Sequence, residues 1–325
     1  MLYPLKFKPI LKNRIWGGDK LGTLMNKSVK DGESIGESWE LSGLEGNESI
    51  VENGYLAGNN INELIEVYLD ELVGQKVYDT FGQTFPLLFK FIDADDKLSV
   101  QVHPDDDMAK ELYGTNGKTE MWYVIDADKG ARLANGFKNP VDPADYEGLV
   151  ESGSIEEVLN FVDIRPGDSF FIPAGRVHAI GAGSFVAEIQ QTSDVTYRIY
   201  DYHRKDKNGN ERQLHTELAK DAINFNDTDG NPVEYTEHPD IPINLVRTPF
   251  FSTNVLEIDS EVMRDYSECD TFVILIAVKG EAEIACGRQT MTLRGGETLL
   301  VPASASGITI NPKGNGFRAL ETYIA

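Results

Sequence analysis

Short apolar runs, interrupted every few residues by Gly, Asp or Pro, dominate this chain and restrict it to a fold built mostly from strands. PLLFKFIDADDKLSVQVHP (Pro86 to Pro104) reads as two strands around an acidic turn. EMWYVIDA, DSFFIPAG, SFVAEIQQ and TFVILIAV are further runs of strand length with turn residues at their ends. Many short strands with polar turns predict a barrel or sandwich. Helical signals are fewer. NINELIEVYLDELVG (Asn60 to Gly74) carries apolar residues at helical spacing and a Gly stop. DDDMAKELYG, VDPADYEGLVESGSIEEVLNFV and HTELAKDAINF predict shorter helices.

Gly167-Asp168-Ser169-Phe170-Phe171-Ile172-Pro173-Ala174-Gly175 is echoed by Gly296-Glu297-Thr298-Leu299-Leu300-Val301-Pro302-Ala303-Ser304. Both copies read as turn, buried strand, Pro turn. The first continues to His178, whereas the second reaches Gly307 without a histidine. The simplest reading is two related barrels, of which one carries a site. The loop Asp201–Gln213 and the Pro-containing stretch near Asp229–Pro242 are the expected boundaries. They divide the chain into residues 1–240 and 241–325.

At 325 residues the chain is long enough for one large domain or two moderate ones. No stretch approaches the roughly 20 apolar residues of a membrane span. Prolines and lysines interrupt the N-terminus where a signal peptide needs an apolar core. The two cysteines, Cys269 and Cys286, form neither a disulfide framework nor a CxxC pair. These features predict a cytoplasmic protein. The formal net charge of −23 weighs against nucleic acid as a partner. A phosphorylated small molecule can still bind if a few cations converge locally.

The chain has five histidines, and two of them sit in strand-like contexts. In Gln101-Val102-His103 the alternation of a strand places Gln101 and His103 on one face. The same spacing pairs Lys118 with Glu120. A tight Pro/Gly turn from Pro173 to Gly175 precedes His178. Three strands can thus aim two imidazoles, a carboxylate and the weaker amide ligand of Gln101 at one point, a set that suits zinc. Lys118 is a second cation at that point. His203, His215 and His238 fall in polar segments and read as surface residues. Asp105 to Asp107 read as an acidic helix start. If the segment from Glu188 to Tyr202 is extended, Glu188, Gln190, Asp194 and Arg198 share a face. Arg198 then either meets substrate oxygens or forms a structural ion pair with Asp194 or Glu188.

Several pieces resemble, in order, the type I phosphomannose isomerases of the cupin superfamily, particularly their short bacterial form. They are Trp16-Gly17-Gly18, Gly36-Glu37-Ser38-Trp39-Glu40, Phe85-Pro86-Leu87-Leu88, Leu98 to Pro104, Gly117-Lys118-Thr119-Glu120-Met121-Trp122, Ile172 to His178, and Asp194-Val195-Thr196-Tyr197-Arg198. The resemblance implies a mainly β fold of two cupin-type jelly-roll barrels with a few short helices. It implies one zinc ion per chain on Gln101, His103, Glu120 and His178; the missing histidine of the repeat leaves no metal expected in the C-terminal barrel. It makes Arg198 the catalytic arginine and matches Lys118 and Asp194 to further active-site positions. The implied substrate is a sugar phosphate, isomerised between aldose and ketose through an enediol(ate). The usual first cupin motif begins His-x-His; here it is Gln-x-His, which speaks against a three-histidine cupin oxygenase. A non-enzymatic sugar-binding cupin would dispense with Arg198. A monomer or weak homo-oligomer is expected, with no nucleic-acid or membrane partner.

Overall fold

The computed structural model describes residues 2–30, 32–205 and 209–325. Residues 206–208 of the expected boundary loop lie outside the described residues. Strands dominate, in three antiparallel sheets. A six-stranded sheet is ordered Ile10–Gly18, Ile35–Leu41, Leu87–Ala94, Ser184–Gln191, Glu120–Ala127, Ser169–Ile172. A five-stranded sheet is ordered Tyr197–Tyr200, Val100–Val102, His178–Ile180, Arg132–Phe137, Leu159–Asp163. These two sheets face each other across a core that includes Trp16, Ile92, Trp122, Val124, Leu133 and Ile180. The third sheet contains all the strands after residue 243 together with the N-terminal Leu5–Lys6. Its two long strands, Val273–Cys286 and Gly307–Tyr323, bend over a core of their own. The sheets form jelly rolls that stay open at their edge strands.

The apolar character of LLFKFI, broken only by Lys90, follows from burial on both faces of the sheet. Phe89 and Phe91 pack outward, against a cluster that includes Ile274 and Leu320 of the third sheet. Ile92 and Ala94 pack inward. The helix Ile61–Val73 covers part of the same outer face through Ile61, Leu64 and Ile65. It starts with a capping box in which Asn60 and Glu63 satisfy each other's backbone N–H. The acidic run forms the helix Asp106–Tyr113, with the Asp105 carboxylate accepting from Met108 N. Trp16-Gly17-Gly18 lies against Gly36, and a Cβ on Gly17 would fall 2.4 Å from the Gly36 nitrogen. Among the described residues no helix is long and apolar enough to cross a membrane.

Two local expectations are corrected. The stretch read as helix up to Val162 breaks into Tyr146–Glu151 and Ile155–Val158, then becomes the strand Leu159–Asp163. That strand pairs with Arg132–Phe137, and long-range pairing overrides the local helical spacing. The segment from Glu188 to Tyr202 is not one strand. It ends in the six-stranded sheet at Gln191, turns, and re-enters the five-stranded sheet at Tyr197. The Gln190 amide donates to the carbonyls of Gln191 and Ser193, and Thr192 N donates to Pro86 O, which fixes the turn.

The repeat holds in register. Glu120 to Tyr123 pair with Ser169–Ile172 as Val273 to Ile276 pair with Thr298–Val301. Val124 exchanges backbone bonds with Gly167 and Asp168, and Ala277 does so with Gly296 and Glu297. Gly167 and Gly296 both have φ near +90°, the left-handed region that favours glycine. This register equates Glu120 with Val273. It also equates Glu188, opposite Trp122 and Lys90, with Glu321, opposite Leu275 and Asn254. Glu321 is fully buried. It accepts from Arg264 at 2.9 and 2.8 Å, from Tyr266 at 2.7 Å and from Asn254 at 2.8 Å. Removing one partner of such a pair leaves an unpaired buried charge. Arg264→Ala is therefore expected to cost about 3–5 kcal/mol. Urea unfolding checks this, and a loss below about 1 kcal/mol, the size of an ordinary hydrogen bond, would show that the pair holds nothing together.

Candidate metal centre and substrate cavity

His103, Glu120 and His178 converge between the two N-terminal sheets, with one ligand atom from each within 4.8 Å of the others. His103 follows the strand Val100–Val102, His178 opens the adjacent strand, and Glu120 opens a strand of the facing sheet. Gly175 N donates to His103 O at 2.9 Å, so the Pro/Gly turn before His178 is latched to His103. All three side chains are at most 1% exposed.

The imidazoles are held in one tautomer. His103 Nδ1–H donates to Val195 O at 3.0 Å and His178 Nδ1–H to Arg176 O at 2.9 Å. Each Nε2 therefore presents a lone pair to Glu120. Burial, reinforced by Lys118, pushes His103 down to about 3. Burial also lowers His178. Burial thus favours the neutral form of both rings. Burial pushes the Glu120 carboxyl up, but the ammonium of Lys118 beside it holds it well below the usual range. Lys118 Nζ lies 2.9 Å from both His103 Nε2 and Glu120 Oε2. On the other side, Glu120 Oε1 and His178 Nε2 are buried with no hydrogen-bond partner. Converging lone pairs of neutral nitrogen and carboxylate, two of them orphaned, fit a divalent cation.

Gln101 sits opposite both His178 and Arg198 in the register. Val100 and Val102 face the outer core, so Gln101 faces inward. It lines a cavity of about 350 Å³ with Lys118, Asp194 and Arg198. The structure thus gathers His103, Glu120 and His178 in one buried cluster and Gln101, Lys118, Asp194 and Arg198 around one cavity, with Lys118 touching both. Asp194 is exposed at the rim, whereas Lys118 is buried. Arg198 forms no ion pair with Asp194 or Glu188 among the described residues. Its Nη1 donates to Gln213 O at 2.8 Å, and its Nε is buried without a partner. Burial and then Arg212 pull its guanidinium down from the ordinary value.

Lys90, Arg14 and Arg212 of the cavity were not singled out in the sequence. Lys90 Nζ donates to Glu188 Oε1 at 2.7 Å and to Gln190 Oε1 at 2.5 Å. Burial lowers its pKa, but Glu188 and Glu37 more than reverse this. Glu37 accepts from Arg14 at 2.8 and 3.0 Å and from Trp39 Nε1 at 2.7 Å. A lysine in the middle of LLFKFI was the available signal, because only a paired lysine is tolerated in a fully buried strand. Five cations and three carboxylates line this cavity, in a chain of net charge −23. A larger cleft of about 620 Å³, lined by Tyr123, Lys279 and Arg318, carries none of Gln101, Lys118, Asp194 and Arg198. The smaller cavity is where the chemistry converges.

Comparison with known proteins agrees. Residues 4–132 match the family model for the phosphomannose isomerase type I catalytic domain, and residues 243–319 match that for the mannose-6-phosphate isomerase cupin domain. The chain is 35% identical to mannose-6-phosphate isomerase ManA of Bacillus subtilis, over 92% of this chain and 93% of that protein. This chain belongs to the type I phosphomannose isomerase family. A mannose-6-phosphate isomerase of Streptococcus mutans is 34% identical over 93% of both chains. The crystal structure of the Bacillus subtilis mannose 6-phosphate isomerase superposes with a TM-score of 0.87 at 32% identity, covering 98% of this chain and 99% of that one. Cupin-type architecture for this phosphomannose isomerase family member is thereby shown.

Proposed function

We propose that this chain interconverts mannose 6-phosphate and fructose 6-phosphate with one zinc ion held by Gln101, His103, Glu120 and His178. The observation that carries the reading is a buried set of two imidazoles and a carboxylate, two of its atoms orphaned, joined through Lys118 to a cation-lined cavity. When bound, such a metal supplies Lewis-acid polarisation of a carbonyl oxygen. The chain's own residues supply the rest. Arg198 offers fixed donors to the oxygen that gains charge as the proton moves between C1 and C2. Its unpaired Nε supports a role beyond structure. Lys118 Nζ donates to Glu120 Oε2 beside the ligand cluster, and Lys118 and the Asp194 carboxylate line one cavity. They are the groups placed for acid–base transfer. The excess of cations on the lining suits a substrate phosphate.

We assign the catalytic unit to residues 1–240 and a metal-free unit to residues 241–325. In the second copy Val273 stands for Glu120, and Gly307, followed by the inward-packed Ile308, stands for His178. None of these offers a ligand atom.

Chelation is expected to abolish isomerisation and stoichiometric zinc to restore it, while thermal unfolding stays cooperative. The apolar cores on either side of the site do not depend on a metal. A coupled assay with calorimetry checks this. Full activity in protein shown to be free of metal would sink the reading.

A further inference from the structure

The strand Tyr197–Tyr200 is the outer edge of the five-stranded sheet. Its inner side pairs with Gln101 and Val102. An edge strand leaves the backbone groups of its outer side open. At Arg198 they are closed by one residue. His215 N donates to Arg198 O at 2.8 Å, and Arg198 N donates to His215 Nδ1 at 3.0 Å. Two residues earlier, Gln213 O accepts from Arg198 Nη1 at 2.8 Å. The stretch 213–215 therefore grips both the backbone and the guanidinium of the residue to which the proposed function assigns oxyanion contact.

We propose that His215 is a positioning residue: its imidazole clamps the backbone of Arg198 so that the guanidinium is held at the substrate cavity. This rests on the reading of Arg198 given above. Only an unprotonated Nδ1 can accept the Arg198 N–H. Burial and the charge of Arg198 both lower the His215 pKa and keep the acceptor available. The ring is only partly buried and contacts Tyr197 at a centroid distance of 6.3 Å, so its removal leaves the main cores untouched. Geometry at a reacting centre is costly to lose. A misplacement of about 1 Å can remove roughly 100-fold of rate. Losing one of two backbone clamps is expected to cost less, about tenfold.

The test compares His215→Ala, His215→Asn and Arg198→Ala in the zinc-loaded full chain, with mannose 6-phosphate as substrate. Alanine removes the acceptor, while asparagine returns an oxygen at the corresponding distance from the backbone. The expected result is a fall of about tenfold in kcat for His215→Ala, with KM changed less than about threefold and an unchanged melting temperature. His215→Asn should recover most of that loss. Wild-type kcat in His215→Ala, alongside an inactive Arg198→Ala, overturns the clamp and leaves the role of Arg198 standing. Equal impairment of the alanine and asparagine variants also overturns it, because the ring and not its acceptor would then matter. Near-normal kcat in Arg198→Ala overturns the reading on which the clamp depends.

Discussion

Arg198→Ala is expected to lower kcat by about 100-fold or more while leaving the fold intact. The magnitude is that of a lost oxyanion donor. The guanidinium stays charged at any working pH, so it offers donors without titrating. The contact should strengthen as the oxygen gains charge, so the loss should fall on kcat more than on KM. The structure sharpens this expectation. A structural ion pair with Asp194 or Glu188 would have made Arg198→Ala melt early. No such pair exists among the described residues, and the guanidinium makes one recorded hydrogen bond, to a backbone carbonyl. Arg198→Lys should rescue poorly, because an ammonium cannot reproduce the planar fork. Steady-state kinetics with a melting curve decide the matter. A variant that melts early with near-normal kcat would return Arg198 to a structural role.

His178→Ala should remove most of the bound metal and with it the activity. His178 Nε2 is one of the two orphaned atoms of the cluster, and its Nδ1 is already committed to Arg176 O. Altering the outer partners of a metal ligand typically costs about 10–100-fold in affinity, so losing the ligand itself should cost at least about 100-fold. Dialysed wild-type protein is expected to keep one zinc per chain and the variant far less. His238→Ala, at an exposed position, is the control and should match wild type. Elemental analysis reads the result. Full occupancy in His178→Ala would show the site to be misassigned, and a second stoichiometric ion in wild type would show that the C-terminal unit also binds metal.

The residues of the site were legible for a simple reason. Strand periodicity of two is local, so Gln101 with His103 and Lys118 with Glu120 could be placed on shared faces from spacing alone. The turn before His178 was equally local. Lys90 itself was visible as a charge inside an apolar run, but its partners Glu188 and Gln190 lie about 100 residues away and no local pattern names them. His215 looked like a surface residue because its partner is the edge of a strand that other contacts create.

What the sequence determined by itself was the strand-rich character, the repeat with its missing second histidine, and the identity of the candidate ligands. These depend on residue type and short spacing. Only the tertiary structure decided how the segment from Glu188 to Arg198 is used. Read as one strand, it would have put both side chains on the same face. The turn at Thr192 to Thr196 instead carries the chain from one sheet to the other. Glu188 and Arg198 thus reach the same cavity from opposite walls. The physical reason is that sheet membership is set by pairing with distant strands. Glu188 is paired with Lys90 and Trp122, and Arg198 with Gln101. No local pattern encodes those partners.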